Sequence, residues 1–341
     1  MLRWQRTRTS AGRPYFVRIR TATGYVLFVT ACIIAAALYL YSRAPGESSE
    51  ELAVQQHIKA LPTQTFCAKP RPPLVCAHGG LASKGTAPPN TAEAFQSALR
   101  LGVDCVEVDV ARTRDGSLVV LHVRELQQLV DGMSRPQQRE LLQRAGVQEV
   151  SRLQVGDLVL SDILSLSWSP GGQKVLTVKE AIMLTQGQVD SVILDVKTYQ
   201  DKRGRPEDGS LIAEQVVVMV HDTGCSNCLI WAKSDQVMLD VKRLSPGQRA
   251  GYIVMNETEA VRREGMHQPL RLRGLEVVGM HFGMVDSYHL QLIHAAEIQL
   301  YSWTINNASL MHQVLDVGVD ALVTNEPRMV MEAIDSRLSQ C

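Results

Sequence analysis

Three observations on the 341-residue chain predict its fold class, an α/β protein built as a (β/α)8 TIM barrel behind one N-terminal transmembrane helix. Eight short apolar runs alternate with helical periodicities between residues 74 and 338. Histidine, carboxylate or lysine side chains close the first three of those runs, where a barrel of this kind places its chemistry. A single long uncharged segment precedes them all. A doubly wound open sheet is the alternative architecture. The eight units and the absence of a GxGxxG fingerprint favour the closed barrel.

Taken in order, residues 1–23 form a basic segment that includes Arg3, Arg6, Arg8, Arg13, Arg18 and Arg20. Residues 24–42 carry no charge and hold Tyr25, Tyr39 and Tyr41 near their edges, as expected of a bilayer-spanning signal anchor. The basic flank would stay cytosolic, which makes the chain a single-pass membrane protein whose remainder is lumenal or extracellular. An organellar presequence is the rival reading, because no acidic residue precedes Glu47. A cleaved signal peptide is a further one, with Ala35-Ala36-Ala37 as a peptidase site. Residues 43–73 read as a linker that ends in Lys69-Pro70-Arg71-Pro72-Pro73.

The catalytic domain is expected at 74–338. Its strands are predicted at Leu74–His78, Val103–Val110, Ser191–Lys197, Cys228–Lys233, Ala250–Met255, Leu275–His281, Ile298–Thr304 and Ala321–Thr324. Helical patterns fall at Asn90–Leu101, Val178–Gln186, Leu211–Asp222, Asp235–Leu244, Glu257–Glu264, Ser287–Ala296, Ser309–Val317 and Pro327–Leu338. Several open on a capping residue or proline, among them Asp235, Asp286 and Glu326-Pro327. After the turn Arg114-Asp115-Gly116, Ser117–Val123 reads as a short returning strand. The glutamine-rich stretch 124–176 is expected to be a polar insertion after the second strand.

A formal net charge of zero and 5 % aromatic residues give no basis for nucleic-acid binding. Seven cysteines in a chain of this length do not suggest a small-protein disulfide framework. Cys225-Ser226-Asn227-Cys228 lacks the second pair that zinc would need, leaving a local disulfide or two independent thiols. Asn256-Glu257-Thr258 and Asn307-Ala308-Ser309 fit the glycosylation acceptor pattern.

Glu107 and Asp109 are two residues apart, so on a strand both carboxylates leave the same face. Paired carboxylates repel unless a cation lies between them, and hard divalent ions such as Mg²⁺ or Ca²⁺ suit oxygen donors. Asp195 and Lys197 repeat the spacing on the third run. An ion pair inside the barrel would explain any one of these residues singly. With His78, His122 and the glycine-rich turn Gly79-Gly80, the set points instead to phosphodiester chemistry.

The ordered motifs carry a resemblance. His78-Gly79-Gly80, Pro89-Asn90-Thr91-Ala92-Glu93-Ala94-Phe95, Val106-Glu107-Val108-Asp109-Val110 and Val119-Val120-Leu121-His122 open the series. Ile193-Leu194-Asp195-Val196-Lys197, Tyr301-Ser302-Trp303-Thr304 and Gly318-Val319-Asp320-Ala321-Leu322-Val323-Thr324-Asn325-Glu326-Pro327 complete it. Together these resemble the glycerophosphodiester phosphodiesterase family over about residues 74–330, most of all its membrane-anchored plant branch with a His-Gly-Gly motif. The resemblance implies hydrolysis of glycerophosphodiesters to sn-glycerol 3-phosphate and an alcohol. It makes His78 and His122 the general acid and base. Glu107, Asp109 and Asp195 would be the metal ligands, Lys197 a phosphate contact and Trp303 a wall of the substrate mouth.

Four positions depart from the family pattern. Gly79 stands where an arginine usually grips phosphate, Pro89 replaces a glutamate, Val123 an aspartate, and Gln128 a frequent arginine. The backbone N–H groups of Gly79 and Gly80 are expected to replace part of the lost grip. His281, which ends the sixth run, is expected to border the mouth. A lysophospholipase D acting on membrane lysolipids is the second functional reading. A catalytically dead, membrane-tethered phosphodiester-binding protein is the third.

Overall fold

The computed structural model describes residues 6–7, 15–16, 66–82, 87–168, 172–199 and 209–341. Two compact units divide the chain, residues 1–56 and 57–341. In the first, Arg6–Thr7 pairs antiparallel with Tyr15–Phe16. The expected membrane span at 24–42 and most of the 43–73 linker lie outside the described residues. Among the described residues, no helix is long and apolar enough to cross a membrane.

The second unit holds the barrel. Its strands are β1 (Leu74–His78), β2 (Cys105–Arg112), β3 (Leu118–Val120), β4 (Ser191–Val196), β5 (Cys228–Ala232), β6 (Ala250–Val254), β7 (Val277–His281), β8 (Gln299–Trp303) and β9 (Ala321–Thr324). All but β3 run parallel, and the pairing of β9 with β1 and of β1 with β2 closes the ring. The eight expected barrel strands all form, with the second shifted about two residues toward the C-terminus. Its extra length, Val110–Arg112, pairs antiparallel with β3.

Strand alternation sorts side chains into two layers. Val106, Val108 and Val110 of β2 and Val192, Leu194 and Val196 of β4 face outward and pack with helix residues such as Phe95, Ile182 and Val216. Cys76, Cys105, Ile193, Leu229, Trp231, Ile253, Tyr301 and Val323 fill the interior. Gly279 leaves the room that the Trp231 ring occupies, since a Cβ there would stand 2.8 Å from it. The helices that cover the outside begin with α1 (Ala92–Leu101), whose N-cap is Thr91.

The insertion is more ordered than its polar composition suggests. It holds α2 (Val123–Asp131), α3 (Arg135–Ala145) and α4 (Leu160–Leu164). Leu126, Leu129 and Val130 on α2 and Leu141, Leu142 and Ala145 on α3 bury together against Leu121 and Leu153. Those spacings are helical, so the second core was legible beneath the glutamines.

Cysteine pairing decides between the two readings that the sequence left open. Six of the seven cysteines are joined, as Cys67–Cys341, Cys76–Cys105 and Cys225–Cys228. The CxxC motif is therefore a local disulfide. Cys76–Cys105 crosses from β1 to β2 inside the barrel, one side-chain layer below His78 and Glu107.

Candidate active site

Register places the functional side chains at one rim. His78 on β1 lies beside Glu107 on β2, and Asp109 on β2 lies beside Asp195 on β4. His122 arrives differently. β3 folds back along the overhang of β2, and two residues later His122 becomes the N-cap of α2 at the same rim. His78, Glu107, His122, Asp195, Lys197 and Trp303 all line one cleft of about 120 Å³. A larger cavity of about 740 Å³ lies among the strand starts at the opposite end, around Lys69, Asp104, Arg249 and Asp320. The titratable constellation is in the smaller cleft, at the strand C-termini where barrel chemistry is built.

Glu107, Asp109 and Asp195 each present an oxygen within 4.8 Å of the others, and the first two are only 1 % exposed. Burial, then the charge of Asp109, pushes the Glu107 carboxyl well above the ordinary range. Burial would raise Asp109 too, but the Lys197 ammonium holds it below the usual carboxylate range. Lys197 Nζ lies 2.5 Å from Asp109 Oδ1 and also pairs with Asp195 Oδ2. The predicted phosphate contact thus sits among the carboxylates, as their counter-charge. One ammonium does not satisfy three carboxylates: Glu107 Oε1 and Asp195 Oδ1 are buried without hydrogen-bond partners. An all-oxygen donor set with unused buried acceptors fits a hard divalent cation.

The two imidazoles have unlike partners. His78 Nδ1 lies 2.7 Å from Asn325 Oδ1, a carbonyl acceptor, so Nδ1 carries the hydrogen and Nε2 the lone pair. His122 Nδ1 accepts the Arg124 backbone N–H at 3.2 Å, which leaves the hydrogen on Nε2. Burial lowers the proton affinity of both, His122 to about 4.

The glycine pair does not act as expected. Gly79 N–H donates to Glu107 Oε2 at 2.9 Å and to the Glu107 carbonyl, while Gly80 N–H donates to the Ala77 carbonyl. Both donors are committed within the rim: Gly79 holds Glu107 in place, and Gly80 closes the turn onto Ala77. Trp303 lines the cleft, anchored by an Nε1–H donated to the Gly279 carbonyl at 2.9 Å. His281 pairs with Glu257 at 3.4 Å and packs edge-on against Trp303, behind the cleft wall.

Three residues emerge that residue-by-residue reading missed. Asn90, at φ 61°, donates through Nδ2 to Asp109 Oδ2 at 2.7 Å and to Glu125 Oε2 at 2.9 Å. Its Oδ1 accepts the Asp109 backbone N–H. Asparagine is among the few side chains that tolerate the left-handed region. Glu125 also accepts the His122 backbone N–H at 3.0 Å, closing a capping box. Burial, then Asp109, raises its carboxyl to about 7. Asn325 completes the set through His78. Asn90 and Asn325 were both inside the motifs quoted above, which is the signal that could have found them.

With this geometry in hand, comparison with known proteins is direct. The model of the glycerophosphoryl diester phosphodiesterase family matches residues 81–329. The chain belongs to that family. It is 34 % identical over 276 residues to the glycerophosphodiester phosphodiesterase GDPD4 of Arabidopsis thaliana, covering 79 % of this chain and 76 % of the relative. A Caldanaerobacter subterraneus glycerophosphodiester phosphodiesterase is 22 % identical, covering 76 % of this chain and 97 % of its own. The fold is shared with an Oleispira antarctica phosphodiesterase solved with the product sn-glycerol 3-phosphate. That match has TM-score 0.58 and 22 % identity, over 77 % of this chain and 97 % of that one. The protein is therefore a glycerophosphodiester phosphodiesterase, a phosphoric diester hydrolase, and its likeness to the Arabidopsis enzyme places it with the plant branch.

Proposed function

We propose that this enzyme releases sn-glycerol 3-phosphate and an alcohol from glycerophosphodiesters, with His78 as general base and His122 as general acid. The observation that carries the assignment is the unlike hydrogen bonding of the two imidazoles beside one carboxylate cluster. His78 Nε2 takes the proton of the attacking oxygen, which belongs to water or to the glycerol 2-hydroxyl; in the second case a cyclic phosphate forms, and water then opens it to sn-glycerol 3-phosphate. As the new P–O bond forms, the P–O bond to the alcohol breaks. The negative phosphodiester favours the doubly protonated His122, in which Nδ1 gives up the Arg124 N–H and Nε2 passes its proton to the departing oxygen. Asn325 keeps His78 in the tautomer that leaves Nε2 free, and it accepts equally well from the imidazolium that forms.

Glu107, Asp109 and Asp195 would hold a divalent cation, Mg²⁺ or Ca²⁺. When bound, such a cation supplies positive charge against the phosphoryl oxygens as negative charge gathers on them. We further propose that residues 24–42 anchor the enzyme in a membrane, with the barrel on the lumenal or extracellular side. Three disulfides support this reading, because they persist in oxidising compartments.

The test uses His78→Ala and His122→Ala in hydrolysis of glycerophosphocholine, with chelator or with each metal in turn. Both variants are expected to lose turnover while keeping the thermal shift caused by Mg²⁺ or Ca²⁺. Near-normal hydrolysis by either would sink the assignment. Lysophosphatidylcholine assayed in parallel separates the lysophospholipase D reading.

A further inference from the structure

A phosphodiester carries negative charge into the cleft, so something other than the carboxylates must receive it. Three cationic side chains line the space: Arg124, Lys197 and Lys233. Lys197 is held between Asp109 and Asp195. The Gly79 and Gly80 N–H groups answer to Glu107 and Ala77. Each imidazole already has one ring nitrogen engaged, His78 Nδ1 with Asn325 and His122 Nδ1 with the Arg124 backbone N–H. Beside the divalent cation proposed above, the remaining cationic groups are Arg124 and Lys233.

Among the described residues, neither side chain donates a hydrogen bond to a structural partner. Arg124 stands in the first turn of α2, with its side chain 51 % exposed. Its guanidinium forms a loose ion pair with Glu125 Oε1 at 3.7 Å, beyond hydrogen-bond reach, and among the described residues no acceptor takes a hydrogen bond from the fork. Lys233 follows directly after β5, and its Nζ stands 5.6 Å from the centre of the Trp303 ring. Among the described residues, no carboxylate lies within ion-pair distance of it. The two charges also act on the same space. Both line the cleft that His78, His122 and Trp303 share.

We infer that Arg124 and Lys233 are the phosphate-binding side chains of this enzyme, converging on the phosphodiester from the start of α2 and the end of β5. The inference rests on reading the cleft as the hydrolytic site. A guanidinium fork can engage two oxygens of one phosphate, and an ammonium contributes a point charge beside it. Because Lys233 overlies Trp303, the bound phosphate would adjoin the aromatic wall, leaving that wall for the organic part of the substrate.

Arg124→Gln and Lys233→Gln in the full-length protein test the assignment. Calorimetric binding of sn-glycerol 3-phosphate is measured separately from kcat and KM for glycerophosphocholine. Each variant is expected to weaken product binding and raise KM by roughly tenfold or more, as loss of a charged hydrogen bond implies. Arg124→Lys should recover only part of the loss, keeping the charge without the fork. Melting temperatures should stay at the parent value, because both side chains reach solvent. Parent-like product affinity and KM in both glutamine variants would overturn the inference. A parent protein that fails to turn over glycerophosphocholine would instead strike the hydrolytic reading itself.

Discussion

Lys197→Met probes the centre of the site most directly. The parent balances three clustered carboxylates with one ammonium, which lies 2.5 Å from Asp109 Oδ1. Methionine keeps the length of the side chain and removes the charge. Removing one partner from a buried ion pair typically costs about 3–5 kcal/mol, because the surviving charge is left uncompensated. In a domain of this size each kcal/mol lowers the melting temperature by roughly 2–4 °C. In chelator the variant should therefore melt roughly 6–20 °C below the parent. Added divalent cation should reverse much of that loss. A ligand at a hundred times its Kd stabilises by about 2.7 kcal/mol, and in the variant it no longer competes with an ammonium for the same oxygens. The assay is a thermal melt of parent and variant in chelator, in Mg²⁺ and in Ca²⁺. The metal-induced rise should be larger in the variant. A variant that melts with the parent in chelator would refute the counter-charge role of Lys197. A large loss that neither metal reduces would refute the reading of Glu107, Asp109 and Asp195 as a cation site.

Other predictions concern the surroundings of the site. Gly80 has φ +84°, and a Cβ there would lie 2.6 Å from the Ala94 carbonyl carbon. Gly80→Ala should cost about 2–4 kcal/mol in a denaturant melt, and an unchanged midpoint would contradict this. Glu125, raised to about 7 from an ordinary 4.5, favours the fold while protonated and loses that contribution as pH rises through 7. Glu125→Gln should therefore flatten the pH dependence of stability between about pH 4.5 and 7, the range over which the raised carboxyl costs the parent up to about 3 kcal/mol. Identical pH slopes for parent and variant would count against it. The Cys67–Cys341 bond spans 274 residues, so Cys67→Ser with Cys341→Ser should cost about 5 kcal/mol by loop closure. A melting temperature matching the parent would show that the termini are held by other contacts.

The barrel was legible because its signal is local and repeated. Each strand carries its own alternation, and each helix its own cap, so a missed boundary such as that of β2 does not propagate. The carboxylates were legible for the same reason: a spacing of two puts Glu107 with Asp109 on one face wherever the strand goes. Reading 124–176 by composition alone hid a second core, since its glutamines outnumber attention to Leu126, Leu129 and Val130 at helical spacing. The glycine pair misled in another way. A turn rich in N–H donors is suited to an anion, but whether its donors are free depends on what lies across the neighbouring strand, here Glu107.

By itself the sequence determined the parallel barrel, the rim that carries the candidate site, the family, and the residue types gathered there. These follow from periodicity and ordered motifs, which short stretches of chain contain in full. Only the tertiary structure decided which partner each group has. Asn325 reaches His78 across 247 positions, and Asn90 joins Asp109 to Glu125. Lys197 turns to the carboxylates, leaving Arg124 and Lys233 facing the cleft. Such pairings depend on which strands the closed barrel sets side by side, and on burial that makes an unpaired charge costly. No local pattern encodes either.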